Sequence, residues 1–278
     1  MLVFTTDFGL SDSYTGVMKG VALGINPDLR FIDLTHQIAP QNVAQGAFAL
    51  GVSYRYFPSN AIHVAVVDPG VGTSRRPILL QTPHGSFVAP DNGLLSRVLS
   101  DYLPDPSTSL ETVEVPPVLR AFHLTNPDYW RHPVSSTFHG RDVFTPVAAH
   151  LSLGVAPESL GEPTTELEWL PLTPYRVTPE GVGGEIIYCD VYGNLISNIP
   201  ASLLEGGELD EVRIRGRSIR RLSATFLDTA VGASRPDLVA LIGSHGYLEI
   251  AVPSGSAAAT LSAGPGEPVA VTFLPPCV

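Results

Sequence analysis

Positive charge is scarce in this chain. Lys and Arg number 16 against 27 Asp and Glu, which gives a formal net charge of −11. Proteins that grip nucleic acid present a basic face to the phosphates, so nucleic acid is not an expected partner. Nor is there a polybasic segment to hold an anionic lipid surface. Cysteine is scarcer still. Cys189 and Cys277 are the only two, and neither sits in a CxxC pair or a zinc spacing. Two reduced thiols in a cytoplasmic protein are the expectation. The eight histidines are scattered with no HxH or HxxxH among them, so no metal site made of protein ligands is expected. No apolar run approaches the roughly 20 residues that span a bilayer. The opening MLVFTTDFG has no basic n-region and reaches an acid early, unlike a secretory signal. A cytoplasmic protein without membrane contact is expected. GxGxxG and GxxxxGK[ST] are missing, which removes the usual phosphate cradles. GxSxG is missing too, which removes the nucleophile elbow of a serine hydrolase.

What is present is a well-patterned globular chain. Its 278 residues are 44% hydrophobic, long for one core and comfortable for two. The first 150 residues alternate strand-like and helix-like runs. LVFTT (2–6), FIDLT (31–35) and AIHVAVVD (61–68) read as strands. Residues 11–26, with Tyr14, Val17, Met18, Val21 and Ile25 at helical spacing, read as a helix capped by Ser11, Asp12 or Ser13. Residues 43–56 read as a second helix closed by Pro58, and 92–99 start a third. PILLQT (77–82) and SFVAP (86–90) read as a hairpin about His84-Gly85, and ETVEV (111–115) as a short strand. Residues 138–154 are helix-like after Gly140, with Gly154 as the stop. This order predicts an α/β fold, a mostly parallel sheet flanked by helices. From 158 to 184 the pattern dissolves into Pro, Thr, Glu and Gly. A boundary there gives an N-terminal domain over 1–172 and a C-terminal one over 173–278. The second part is a series of short β runs between Gly-containing turns, which predicts a small all-β, barrel-like domain. SGSAAATLSAG (254–264) reads as a loop with a close backbone approach.

Ligands of α/β sheets gather beyond the carboxyl ends of the strands. Asp7, Asp33 and Asp68 stand at or near such ends. Asp7 and Asp68 lead into the Gly-containing turns DFG and DPGVG, where backbone can approach a ligand closely. Two readings remain for both, as acceptors for turn N–H groups or as ligand contacts. For Asp33, followed by Leu-Thr, the turn reading is preferred. Asp68 and Arg75 can pair across their loop as simple structure. With a histidine, the same pair would hold and activate a water. His139, at the entry to a helix, is the best-placed candidate, against the plainer reading of a packing or capping residue.

The stretches TTDFGLSDSYTGVMKG, DLTHQIAPQNV, VVDPGVGTSRRP, APDNGLLS, STFHGRDVFTPVAAHL, DVYGNLISNI and SHGYLEIAV occur in this order. Together they resemble the S-adenosyl-L-methionine (SAM) hydroxide adenosyltransferases, or SAM hydrolases, relatives of fluorinase and chlorinase. The resemblance runs from Leu2 to about Thr272. It implies an α/β N-terminal domain, a small β C-terminal domain, and a homotrimer with sites between subunits. It implies hydrolysis of SAM to adenosine and L-methionine without metal or organic cofactor. Asp68, Arg75 and His139 would hold the attacking water. Asp7 would hold the ribose hydroxyls, Asp12 would lie in the neighbouring substrate loop, and Phe138 would pack beside ribose C5′. Asp190, Asn194 and Ser244 would hold the methionine end. Tyr247, Glu249 and the backbone near Val252 would face the adenine.

The chain also departs from the fluorinase pattern. Asp68 and His139 replace tyrosines, Gly140 replaces the halide-site serine, His245 replaces an arginine, and Gln41 replaces a tryptophan over the site. The resemblance therefore points to water rather than fluoride as nucleophile. A halogenase using chloride, for which Gly140 leaves room, and a non-catalytic SAM or adenosine sensor are the alternatives.

Overall fold

The computed structural model of the chain describes residues 1–104, 111–205, 209–227 and 238–274, so Cys277 lies outside the described residues. The described chain forms two compact units, Met1–Leu172 and Thr173–Val278. Among the described residues no helix is long and apolar enough to cross a membrane.

The first unit is built on strands β1 (Leu2–Thr6), β2 (Phe31–Thr35), β3 (Ile62–Val66), β4 (Pro77–Thr82) and β5 (Gly85–Pro90). Four short strands follow, β6 (Thr112–Glu114), β7 (Arg120–His123), β8 (Glu162–Thr164) and β9 (Glu166–Glu168). The main sheet has the order β2-β1-β3-β5-β4-β7-β8, and β6 pairs with β9 apart from it. The pairs β1–β2, β1–β3 and β3–β5 are parallel, while β4 runs against β5 and β7. The mostly parallel sheet and the hairpin match the sequence pattern. β3 shows why the central strands read as unbroken apolar runs. Ile62, Val64 and Val66 enter the core on one face, Ala65 and Val67 the core on the other. Helices α1 (Tyr14–Ile25) and α4 (Thr145–Ser152) cover the first face, α2 (Val43–Gly51) and α3 (Ser96–Leu99) the second.

β2 and β3 lie on opposite sides of β1. The connections from β1 and β2 thus leave in opposite directions, and a crevice opens beyond the carboxyl end of β1. Asp7, His36 and Asp68 follow the ends of these three strands.

Several elements differ from the sequence expectation for local reasons. Ser13 precedes α1 but makes no side-chain cap bond. α2 stops at Gly51, and a separate 3₁₀ turn covers Tyr54–Tyr56. Residues 92–95 stay outside α3 because the Asn92 side chain accepts from Leu94 N and donates to Val67 O, a local competitor to helix. The segment after His139 opens as a wide π-helical turn, Gly140–Phe144. Pro146 has no N–H for the Asp142 carbonyl, which accepts from Arg131 N instead. β7, β8 and β9 are three or four residues long, too short to show periodicity. β8 contains Pro163 and lies at the sheet edge, where proline is tolerated.

The second unit holds β10 (Arg176–Thr178), β11 (Gly181–Cys189), β12 (Leu195–Pro200), β13 (Leu209–Ile214), β14 (Arg217–Ile219), β15 (Val239–Ile242), β16 (Tyr247–Ala251) and β17 (Pro268–Phe273). They form one antiparallel sheet of order β14-β13-β17-β11-β12-β16-β15, with β10 on β11. Leu222, just past β14, bridges to Ala240 of β15, so the two ends of the sheet meet in a nearly closed barrel around Ile186, Ile214 and Ile250. The expected loop at 254–264 is corrected here, since it contains the short helix Ala257–Leu261. Its alanines favour helix, and Ser256 accepts from Ala259 N as cap.

His63 has an unusual place in this core. It is fully buried, stacked 4.8 Å from Phe87 and edge-on to Phe57, and neither ring nitrogen has a hydrogen-bond partner among the described residues. Burial pushes its pKa down to about 4 from 6.5. The unfolded chain therefore binds a proton that the folded chain refuses. Stability is complete above pH 6.5 and is lost as pH falls towards 4, by up to about 3 kcal/mol. Urea unfolding of His63→Phe should show a smaller loss between pH 7 and pH 4.5 than the unsubstituted protein. Equal losses would contradict this assignment.

Candidate active site

The bend between β3 and β4 carries the first two groups. Asn92 anchors its start at Val67 O, and Thr73 closes its turn by donating to Gly70 O, 2.6 Å. Gly72 adopts φ 76°, and a Cβ there would come within 2.2 Å of the Ser136 carbonyl. Only glycine lets the bend lie against the 135–139 segment, and that segment delivers His139.

The three groups converge as the sequence suggests. Arg75 Nε donates to Asp68 Oδ1 at 2.8 Å, and Nη2 donates to Asp68 Oδ2. Nη2 also lies 2.9 Å from His139 Nδ1. The pair is secluded, with side chains 8% and 5% exposed. The guanidinium lies over the Phe144 ring, 5.0 Å from its centroid, a face that attracts cations. Nη1 is buried without a hydrogen-bond partner among the described residues.

A guanidinium can only donate. His139 Nδ1 must therefore be the acceptor in this contact, and the neutral imidazole carries its proton on Nε2. Burial lowers the His139 pKa, and the nearby Arg75 charge lowers it further. The arrangement thus holds a histidine neutral, with a carboxylate beside it whose two oxygens are already oriented.

Asp68 and His139 line a cavity of about 770 Å³ at the crevice beyond β1, within the range of small-molecule sites. Arg75 does not line it; it holds the other two from behind. Asp7, Asp12 and Phe138 line the same cavity. Asp7 Oδ2 accepts from Gln41 N at 2.7 Å. Phe138 packs edge-on against Phe8 and Tyr14, at 5.8 and 5.1 Å between centroids. Among the described residues, Asp7, Asp12 and Asp68 are the lining carboxylates, and no Lys or Arg lines the cavity with them. Asp33 stays outside, bound to Lys19 at 2.7 Å. Gly140 also lines the cavity, and its immediate surroundings are close-packed. A Cβ there would meet Met18 Sδ at 3.2 Å and the Phe138 and Phe8 rings at 3.3 and 3.4 Å.

The remaining candidates lie in the second unit, where two local clusters are found. Asp190 accepts from Tyr192 N, Asn194 N and Asn194 Nδ2 at 2.8–2.9 Å, which shapes the β11–β12 turn. Glu249 is buried and lies 3.0 Å from His245 Nε2, while His245 Nδ1 accepts from Tyr247 N. Ser244 is exposed and Val252 half-buried. Leu195 faces Ile250 and Pro200 faces Tyr247. The Asp190–Asn194 turn and Val252 therefore lie toward one end of the β12–β16 ladder, and Ser244 and Tyr247 toward the other.

Among the lining residues the sequence reading assigned no role to His36. It follows the carboxyl end of β2, where the strand-end rule that selected Asp7 and Asp68 would have found it.

Two outcomes follow from this geometry. The acid limb of activity set by His139 should lie below pH 6.5, because protonation of Nδ1 breaks the Arg75 contact. A kcat/KM profile falling at or above 6.5 would contradict it. Gly72→Ala should leave the chain folded but lose at least about tenfold in kcat, since the 2.2 Å approach must open. Unchanged kcat would count against the docking role of Gly72.

Comparison with known proteins identifies the family. Residues 2–161 match the family model described as SAM hydroxide adenosyltransferase N-terminal domain, and 184–270 match the C-terminal domain of the same family. The chain is 38% identical to the (R)-S-adenosyl-L-methionine hydrolase of Salinispora tropica, over 97% of this chain and 96% of that one. It is 40% identical to the protein of the same name from Thermus thermophilus, over 96% and 97%. A fluorinase from Nocardia brasiliensis is 25% identical over 90% and 89%. The crystal structure of an uncharacterized conserved protein from Thermotoga maritima superposes with a TM-score of 0.84 at 33% identity, covering 98% of this chain and 100% of that one. With its ordered motifs and both domains matched, the chain belongs to the SAM hydroxide adenosyltransferase family.

Proposed function

We propose that the protein is an enzyme that hydrolyses SAM to adenosine and L-methionine, with water attacking ribose C5′ in line with the C–S bond. The observation that carries this reading is the placement of Asp68 and His139 on the wall of an acidic cavity of about 770 Å³, with Arg75 holding both from behind. The C5′–S bond breaks with its electron pair on sulfur, which leaves as a neutral thioether and needs no acid. The C5′–O bond forms, and the proton of the attacking water passes to Asp68 and on to solvent. His139 Nε2–H donates to the water oxygen and fixes its direction. Such positioning is worth up to about 7–11 kcal/mol in ideal cases.

The lining supports a cationic substrate. Three carboxylates without a lining Lys or Arg attract a sulfonium and an ammonium and repel a halide. On this ground chloride transfer is the weaker reading. Asp7 would accept from the ribose hydroxyls, with Asp12 in the neighbouring loop and Phe138 beside the ribose. The resemblance supports the C-terminal assignments, Asp190, Asn194 and Ser244 to methionine and Tyr247, Glu249 and Val252 to adenine. It also supports a homotrimer with sites between subunits, which light scattering on the purified protein tests.

Incubation with SAM in ¹⁸O-water should yield L-methionine and adenosine carrying the label at the 5′ oxygen. The named relatives specify the (R) sulfonium epimer, so both epimers are supplied separately. No adenosine above a buffer control from folded protein would overturn the reading and favour a sensor. A 5′-halo product in chloride would favour the halogenase. Arg75→Lys should lower kcat by at least about 100-fold, because one ammonium cannot reproduce both the fork on Asp68 and the donor to His139. Retention of full activity would remove Arg75 from the mechanism.

A further inference from the structure

His36 joins the two loops that meet at the crevice. It is buried, 3% exposed, and lines the cavity. Its Nδ1 is 2.8 Å from Thr6 Oγ1, and the same hydroxyl accepts from Phe8 N at 3.2 Å. Its carbonyl accepts from Gly9 N at 2.7 Å. On its far side, Nε2 stands 3.1 Å from Asp33 Oδ1, off the line of a well-aligned hydrogen bond, and Asp33 is held in turn by Lys19 at 2.7 Å. Burial alone would raise the Asp33 pKa, but the Lys19 bond and the neighbouring His36 ring outweigh it and hold the group below its ordinary value. Asp33 thus stays an anion that fixes the ring from behind.

Asp7 lies inside this stitching. The residue before it, Thr6, and the two after it, Phe8 and Gly9, are each tied to His36 directly or through the Thr6 hydroxyl. The Asp7 carboxylate itself accepts from Gln41 N, five residues beyond His36. Gln41 takes φ 65° to make that contact, a left-handed backbone uncommon outside glycine. Among the described residues, the hydrogen bonds that hold Asp7 and its neighbours come from its own strand end or from the His36–Gln41 segment.

We propose that His36 is a positioning residue that fixes the Asp7 carboxylate for a 2′,3′-diol, so that it governs the preference for a ribonucleoside over a 2′-deoxynucleoside. The diol offers two O–H donors to a carboxylate that has lone pairs left after Gln41 N is served. Loss of the Thr6–His36 contact loosens the Thr6 hydroxyl that holds Phe8 N, and leaves the backbone bond from Gly9 N to the His36 carbonyl as the remaining tie on that side of the loop. The carboxylate then turns, and the hydroxyl-specific part of the affinity goes with it. This inference rests on the nucleoside reading above, and binding of adenosine tests it without turnover.

The experiment measures Kd for adenosine and for 2′-deoxyadenosine by calorimetry, on the full chain and on His36→Leu, His36→Asn, Thr6→Val, Asp7→Asn and the His36→Leu/Asp7→Asn pair. The unsubstituted protein should favour adenosine by about tenfold or more, as expected for hydrogen bonds to a charged group. His36→Leu and Thr6→Val should collapse that ratio towards one, with a smaller loss for 2′-deoxyadenosine, which keeps only the 3′-hydroxyl. His36→Asn, whose amide can still reach the Thr6 hydroxyl, should recover much of the ratio. The double variant should match Asp7→Asn alone. Should His36→Leu not fold, Thr6→Val and His36→Asn decide. An undiminished ratio in the folded variants, additive losses in the double variant, or no preference in the unsubstituted protein would each overturn the proposal. Failure of SAM hydrolysis with the ratio pattern intact would overturn the hydrolase reading instead.

Discussion

The site depends on the way one guanidinium divides its protons. Arg75 gives Nε–H and one Nη2 proton to Asp68, and the other Nη2 proton to His139. That division orients a carboxylate and leaves an imidazole one available tautomer. A buried charge pair of this kind is costly to assemble and more costly to break, because removing one partner strands the other in low dielectric, at roughly 3–5 kcal/mol. The pair is tolerated here because the Phe144 face and the imidazole take up guanidinium surface that burial removes from water. The aryl face and the fork explain why lysine would be a poor substitute.

The fold brings the cluster to the place where the sheet opens. β1 lies between β2 and β3, so three strand ends supply Asp7, His36 and Asp68 to one crevice. The fourth contributor, His139, comes from far along the chain, on a wide turn that Pro146 helps to create and that Asp142 secures. Asp142 is fully buried, accepts from Ser135 N and pairs with Arg141 and Arg131. Gly72 then lets the two segments touch. The chemistry is therefore divided between the parallel part of a mixed sheet and two loops clamped to each other, an arrangement suited to holding a small nucleophile in line with a leaving group.

Much of this was legible in the residues. The central strands, the hairpin and helix α1 follow from apolar runs and spacing. The acids stand out because they end strands and enter glycine turns. The convergence of Asp68, Arg75 and His139 was suggested by chemistry and by resemblance, and the coordinates bring them together. Other features were hidden for identifiable reasons. β7, β8 and β9 are too short to carry a period, and their place in the sheets depends on distant partners. Helix Ala257–Leu261 was hidden by its small residues, which read equally as loop until the Ser256 cap is seen. The position of Arg75 behind the cavity rather than on its wall depends on where the Phe144 ring lies. The close packing of Met18, Phe8 and Phe138 around Gly140 depends on contacts between distant segments that no sequence shows.

The central claim is that Arg75 keeps His139 neutral, with Nδ1 as acceptor and the proton on Nε2. Nitrogen-15 NMR of the histidine-labelled protein at neutral pH tests it most directly, with His139 assigned by its substitution. The account predicts an unprotonated, pyridine-like Nδ1 and a protonated, pyrrole-like Nε2, and a change in that signal on Arg75→Lys. A proton on Nδ1, or an imidazolium at neutral pH, would contradict it.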